Sequence, residues 1–162
     1  MKKVLLVTAV LFIVATKGFS QIEKGTFLLG GTGNISLGEN STILLNPSTG
    51  LFLSDKFCAG VGGVLYYNSQ YWYWGLGTFG RYYFSPKQQR SFFVNGSIDI
   101  SHFFNSEYTI KQLRAVTLGV GHVWMLNKSI GFETDIDAQT SFHDVVVGLN
   151  FGFQIYFNKS KE

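Results

Sequence analysis

The C-terminal segment from Val145 to Phe157 alternates between large apolar side chains and side chains that are mostly small or polar. Successive side chains of a strand point to opposite faces, so this pattern predicts a two-sided β-strand. Its thirteen residues suffice to cross a bilayer at a tilt, which takes about 9–11. If the apolar face meets lipid, the chain forms a membrane barrel. That face consists of Val145, Val147, Leu149, Phe151, Phe153, Ile155 and Phe157.

The first twenty residues have the pattern of a secretory signal peptide. A lysine pair and an apolar run over residues 4–15 precede Gly18-Phe19-Ser20, which predicts cleavage after Ser20. An anchor helix that stays attached would need about 20 apolar residues, and Lys17 interrupts the run. We therefore expect a cleaved signal at 1–20, a single domain at 21–157 and a short tail at 158–162.

Removal of the signal leaves a chain that is close to neutral. The full sequence has 13 Lys and Arg against 10 Asp and Glu, and Lys2, Lys3 and Lys17 would leave with the signal. The apparent basicity is therefore no argument for nucleic acid. The single cysteine, Cys58, excludes a disulfide within the chain. It could pair between chains or lie as a buried thiol facing the interior of a barrel.

Eight alternating segments predict an all-β fold, an eight-stranded antiparallel transmembrane barrel with up-and-down connections. Short turns are expected at 54–56, 85–90 and 127–129, and loops at the other end at 38–41, 68–72, 105–112 and 141–144. An even strand number with both termini at one end suits a closed barrel. Pro47 lies inside the second segment and cannot donate to a ladder. It predicts either a bulge there or a first loop extending from about Gly38 to Pro47.

Alternation alone also fits a secreted lipocalin-like calyx, whose apolar faces would surround an apolar ligand. The positions of the basic residues favour the membrane barrel. Of the ten in the mature chain, only Arg81 lies within a predicted strand, although a water-facing wall carries long charged side chains along its strands. Aromatic residues near the two strand ends would suit two interfacial belts. They are Trp72 and Trp74 at one end, and Phe84, Phe92 and Trp124 at the other.

The chain resembles the small outer-membrane β-barrel proteins of Gram-negative bacteria, of the OmpA/OmpX type. The likeness rests on the signal ending Phe19-Ser20-Gln21, the eight segments and the terminal Gly148-Leu-Asn-Phe-Gly-Phe-Gln-Ile-Tyr-Phe157. It implies an outer-membrane location, contact with membrane lipid and lipopolysaccharide, and a monomer. It also implies that the barrel-assembly machinery reads the last strand, here Phe153, Ile155 and Phe157. The strict pattern ends on the aromatic, whereas this chain continues to Glu162.

Charged residues at inward positions form one candidate site, a lumen charge cluster. Arg81 and Glu133 lie about four residues from their short turns, so we expect them at similar heights and able to pair. One interpretation is a satisfied polar plug that fills the barrel. The other is a cation-favouring site or a gated leak, because carboxylates outnumber the guanidinium. The cluster comprises Arg81, Asp99, Glu133, Asp135 and Asp137.

No catalytic, cofactor or metal motif is found. Ser101 and His102 point to opposite faces of a strand and cannot form a dyad. The remaining candidate set, Ser141, His143 and Asp144, lies in a short polar loop, and His122 is expected near the inner interface. The sequence therefore predicts an integral outer-membrane protein with an envelope role or loop-mediated interactions, and at most a very narrow pore. A lipid-modifying enzyme is a further alternative.

Overall fold

The computed structural model describes residues 22–36, 41–68, 71–105, 112–140 and 145–158, and these form eight β-strands in one closed barrel. Each strand pairs antiparallel with the next along the chain, and β1 pairs with β8. The predicted fold class is confirmed. The strands are β1 (Phe27–Ser36), β2 (Thr42–Phe52), β3 (Phe57–Asn68), β4 (Tyr71–Tyr83), β5 (Arg90–Asn105), β6 (Gln112–Met125), β7 (Ile130–Thr140) and β8 (Val145–Phe157).

The alternating sequence determines which side chains face outward. In β8, Phe151 and Phe153 are exposed on the outer wall, whereas Gln154 and Tyr156, at the alternate positions that follow, are buried in the barrel. The same division holds around the ring, so most of the large apolar side chains form the outer surface. No helix in the part of the chain that the structure describes is long and apolar enough to cross a membrane.

Pro47 neither introduces a bulge nor shortens β2, so both expectations for it are wrong. β2 runs from Thr42 to Phe52, and its register with β1 is unbroken, with Pro47 opposite Gly31. On the β3 side, the paired positions stop at Leu45 and resume at Ser48 in the same register. Proline lacks an N–H group, and this local loss of pairing is the cost of its place inside the strand.

Several strands are longer than the sequence pattern indicated. β3 extends to Asn68 and β4 begins at Tyr71, so the expected 68–72 loop is reduced to two residues. β5 begins at Arg90 and β6 begins at Gln112, which places Arg90 and Arg114 within strands. The expectation that Arg81 alone lies in a strand is therefore wrong. Pairing in the ladder continues to the strand ends even where apolar alternation has stopped.

The short turns lie at the end of the barrel where the described chain begins and ends. Asn127 closes one of them by accepting hydrogen bonds from the N–H groups of Ser129 and Ile130, at 2.7 and 2.8 Å. The chain segment before β1 folds against the turn that precedes β3. There the Lys24 N–H donates to the Asp55 carboxylate at 3.0 Å, and the Lys87 ammonium lies 3.5 Å from the same side chain.

Candidate functional site in the barrel interior

Inward-facing polar residues lie opposite inward-facing glycines on the neighbouring strands. Because glycine has no Cβ, a long side chain can lie across the adjacent backbone. A Cβ on Gly148, for example, would lie 2.7 Å from Oδ1 of Asp137. Apolar alternation does not indicate this pairing, which follows from the register of neighbouring strands. The register pairs are Asp99 with Gly77, Glu133 with Gly152, Asp135 with Gly121, Asp137 with Gly119 and Gly148, and Gln154 with Gly30 and Gly131.

Arg81 and Glu133 meet inside the barrel, at the similar heights that their positions indicated. Nη1 of Arg81 donates to Oε2 of Glu133 at 2.7 Å, and both side chains are buried. The guanidinium carbon also lies 4.2 Å from the centroid of the Phe93 ring. Nη1 makes a second contact of 3.3 Å with the hydroxyl oxygen of Tyr83. The cation is therefore held by one carboxylate, one phenol and an aromatic face.

Asp135 and Asp137 share one donor. Nδ2 of Asn150 lies 2.9 Å from Oδ1 of Asp135 and 3.0 Å from Oδ2 of Asp137. The amide brings two like-charged groups together on one part of the wall. It is neutral, so it satisfies hydrogen bonds without cancelling charge.

Asp99 is separated from this group. Its carboxylate accepts a hydrogen bond from Oγ of Ser97 at 2.8 Å. On β6, which lies between β5 and β7, Asp99 is opposite Ala115 while Asp137 is opposite Gly119. The predicted cluster thus resolves into the Arg81–Glu133 pair, the Asp135–Asp137 pair and a separate Asp99.

Apolar and aromatic side chains close the interior at the turn end. Apolar alternation does not predict this plug, although its residues occupy inward positions next to the short turns. Cys58 belongs to it as a free, buried thiol, in agreement with the interior position considered for it. The apolar plug consists of Ile22, Leu28, Phe52, Cys58, Tyr83, Phe93, Val123, Met125 and Tyr156, none more than 3% exposed.

A polar cavity of about 320 Å³ occupies the rest of the lumen. Arg81 and Gln154 line it nearest the apolar plug, and it extends to residues near the loop ends of the strands, such as Asn34 and Gln139. The wall between these levels includes Asp99, Asp135 and Asp137.

Among the other sequence candidates, the structure places His122 away from this site. The His122 imidazole packs on the outer-facing ring of Phe92, with centroids 5.0 Å apart. Ser141, His143 and Asp144 lie outside the described residues, as does the side chain of His102. Within the described ranges no three His, Cys, Asp or Glu side chains are grouped so as to hold a metal.

The aromatic residues expected in the belts and in the assembly signal lie at the positions their parity indicated. Trp72, Trp124 and Phe92 are exposed on the outer wall. Phe153 and Phe157 are also outward and exposed, and the Phe157 ring lies 6.2 Å from that of Phe27 across the β1–β8 seam. Ile155 is partly buried on the same face.

Comparison with known proteins places the fold among eight-stranded membrane barrels. The N-terminal β-barrel domain of Pseudomonas aeruginosa OprF is similar, with a TM-score of 0.70 and 14% identity, covering 83% of this chain and 98% of that one. Neisserial surface protein A (NspA) is similar with a TM-score of 0.63 and 12% identity, covering 87% of this chain and 100% of that one. The outer membrane protein OprG from Pseudomonas aeruginosa is similar with a TM-score of 0.58 and 11% identity, covering 88% of this chain and 100% of that one. No protein-family model and no curated protein matches the chain.

Proposed function

We propose that this protein is an integral outer-membrane barrel of a Gram-negative bacterium, with a lipid-facing wall, a lumen closed at the periplasmic end and an envelope-supporting or loop-mediated role. The observation that carries the proposal is the continuous apolar outer wall. One residue from each strand illustrates it, with exposed fractions between 44% and 66%. These residues are Leu29, Leu45, Val61, Leu76, Ile98, Leu118, Ile136 and Phe151.

Such a wall is incompatible with water and suited to hydrocarbon. Monomeric soluble proteins rarely expose contiguous apolar patches larger than a few hundred Å², whereas this surface surrounds the molecule. The closed ring also satisfies the backbone hydrogen bonds, which spanning a bilayer requires. A calyx for an apolar ligand would need apolar faces around its cavity, where this barrel has the carboxylates of Asp99, Asp135 and Asp137 and the amide of Asn150.

The outer membrane is the compartment that the signal pattern and the fold together support. Export of a barrel through a cleaved signal leads to the periplasm, and the similar folds include that of the outer membrane protein OprG. The connections at the loop end contain two to six residues, which gives little surface for a large adhesin.

The interior supports a closed lumen in place of a pore. Wide aqueous channels need about 16–18 strands, and this ring has eight. The apolar plug and the Arg81–Glu133 pair fill the section near the turns. We expect no steady conductance from the refolded protein in planar bilayers.

Fractionation of cells that express the full sequence tests the proposal. The expected result is a mature protein in outer-membrane fractions that needs detergent for extraction. Its unboiled form should migrate differently on a gel from its boiled form, because folded barrels resist mild detergent. Recovery as a soluble periplasmic or secreted protein without detergent would overturn the proposal.

A further inference from the structure

The outer face of β5 and β6 carries an exposed arginine at the turn end of the barrel. Arg90 is the first residue of β5 and lies opposite Trp124 of β6, and its guanidinium carbon is 4.9 Å from the centroid of the Trp124 ring. Stacking on a ring uses the face of the guanidinium and leaves its N–H groups, which lie in the plane, able to donate. Neither ion pair of the described residues includes Arg90. Its side chain is therefore oriented but lacks an anionic partner there.

The barrel wall itself supplies no anion to Arg90. All the carboxylates within strands, those of Asp99, Glu133, Asp135 and Asp137, lie at inward positions. A second copy packed side by side against the same wall would therefore bring apolar side chains and no carboxylate. Lipid headgroups carry phosphate at the membrane surface, and arginine binds phosphate through two parallel N–H donors.

A pair of polar side chains lies further from the turns on the same face. His122 is opposite Thr134 across β6 and β7, at positions that alternate outward. No hydrogen bond joins either side chain to another described residue. Along β6, His122 is two residues from Trp124, a rise of about 6–7 Å. The ester oxygens of a glycerophospholipid lie below its phosphate, and they can accept hydrogen bonds from a hydroxyl or an imidazole N–H at this level.

An apolar groove of about 500 Å³ continues from His122 and Thr134 toward the middle of the wall. An arginine, a polar pair and an apolar groove thus follow one another along the wall. A glycerophospholipid presents phosphate, ester and acyl chain in the same order. The apolar side chains that line the groove on the outer face are Phe84, Phe92, Val94, Val120, Ile136 and Leu149.

We propose that this face is a binding site for one anionic glycerophospholipid of the leaflet at the turn end. Its phosphate binds Arg90, and the indole N–H of Trp124 is a further donor. Its esters bind His122 and Thr134, and one acyl chain lies in the groove. An anionic headgroup is favoured over a zwitterionic one, because the ammonium of the latter would find no carboxylate on the wall. The site depends on the proposed function, since the wall must face lipid.

Native mass spectrometry of the mature protein refolded in detergent tests the proposal, with phosphatidylglycerol and phosphatidylcholine of identical acyl chains added in equal amounts. The wild type should retain one phosphatidylglycerol in preference to phosphatidylcholine. Arg90→Gln should reduce this preference by about tenfold, since a charged hydrogen bond is lost. Lys56→Gln removes another exposed cation at the same end of the barrel and should leave the preference unchanged. No preference in the wild type, or an equal loss in Lys56→Gln, would overturn the proposal.

Filling the groove distinguishes a phospholipid site from a site for phosphate alone. Val120→Trp places a large side chain in the groove and should weaken retention of phosphatidylglycerol. Val61→Trp is the matched control on β3, because Val61 and Val120 are 54% and 58% exposed. Glycerol 3-phosphate, which has no acyl chain, should not displace the lipid, and displacement by it or equal loss in the two tryptophan variants would overturn the proposal.

The wild-type lipid preference and the Val120→Trp result decide the matter if Arg90→Gln fails to fold. Detergent replaces the membrane in these measurements, so a negative result would refute the lipid site without changing the outcome of the fractionation experiment.

Discussion

Arg81 shows how a single buried charge depends on its surroundings. Its guanidinium lies among the rings of Phe79, Phe93 and Tyr83 and has one carboxylate partner, Glu133. Removing two charges from water costs several kcal/mol per ion, and the pair offsets this only while both members are present. Strand parity predicted that Arg81 and Glu133 face inward. The bridging role of Asn150 was not predictable, because it depends on side-chain rotamers that pattern does not encode.

We expect Glu133→Gln to destabilise the barrel by about 3–5 kcal/mol, since it leaves an uncompensated buried cation. The double variant Arg81→Met, Glu133→Leu should recover much of that loss, because apolar side chains of similar volume replace both charges. Urea unfolding of the protein in lipid vesicles measures both values. A double variant that is less stable than Glu133→Gln alone would contradict this account.

Asp55 contributes a stability that depends on pH. The Lys24 N–H and, to a lesser extent, the Lys87 ammonium hold the pKa of the Asp55 carboxyl below its ordinary value of 3.8. A pKa lowered by folding stabilises the protein above the unfolded-state pKa, and this contribution is lost as the pH falls through the folded-state pKa. The stability difference between wild type and Asp55→Asn should therefore shrink below about pH 4. Denaturant titrations at pH 6 and pH 3 measure it, and a difference that grows on acidification would contradict the sign.

At the scale of the strands, the inward-facing glycines determine how closely the barrel wall packs against the side chains inside it. Alternation predicted the number of strands and which side chains face outward. In a strand whose two faces meet different surroundings, the residue type alternates with a period of two. Strand ends were less predictable, as β5 shows by beginning at Arg90. Pairing with a neighbour extends a strand beyond its apolar pattern. Pro47 was misjudged for the same reason, because the unbroken β1 ladder holds it in place.

Gly121→Ala should cost about 1–3 kcal/mol through overpacking. A Cβ there would lie 2.7 Å from Cε1 and Cε2 of Phe93, inside the apolar plug. The matched control is Gly96→Ala on the outer wall, where the nearest atom is Cδ2 of Leu118 at 3.4 Å. Unfolding free energies in the same lipid provide the comparison. Equal losses for the two variants would show that strand propensity matters more than the enclosed space.

At the scale of the whole molecule, the barrel separates an apolar exterior from a polar and aromatic interior. The sequence predicted this inversion from alternation and from the scarcity of charge in the strands. It did not predict that the interior divides into an apolar plug and a polar cavity. That division depends on which inward residues share a height, and the relative shift of the eight strands sets those heights.

Leu118→Arg should destabilise the inserted protein by about 2–4 kcal/mol, because Leu118 lies midway along β6 on the outer wall. Leu53→Arg is the matched control, since Leu53 is similarly exposed but lies in a turn, where the cost falls to about 0–1 kcal/mol. Reversible unfolding from vesicles measures both. Equal tolerance of arginine at the two positions would mean that water, not lipid, surrounds the middle of the wall.

The seam between β1 and β8 brings the two ends of the barrel chain together. Phe27 pairs with Phe157, and Oγ1 of Thr26 lies 2.6 Å from Oδ1 of Asn158. Chain ends that meet are compatible with circular permutation. A peptide joining these ends, with a new opening in the 126–129 turn, would preserve all eight ladders. Any strand of the closed ring could therefore come first in the chain. The barrel architecture does not depend on the order in which the strands are synthesised.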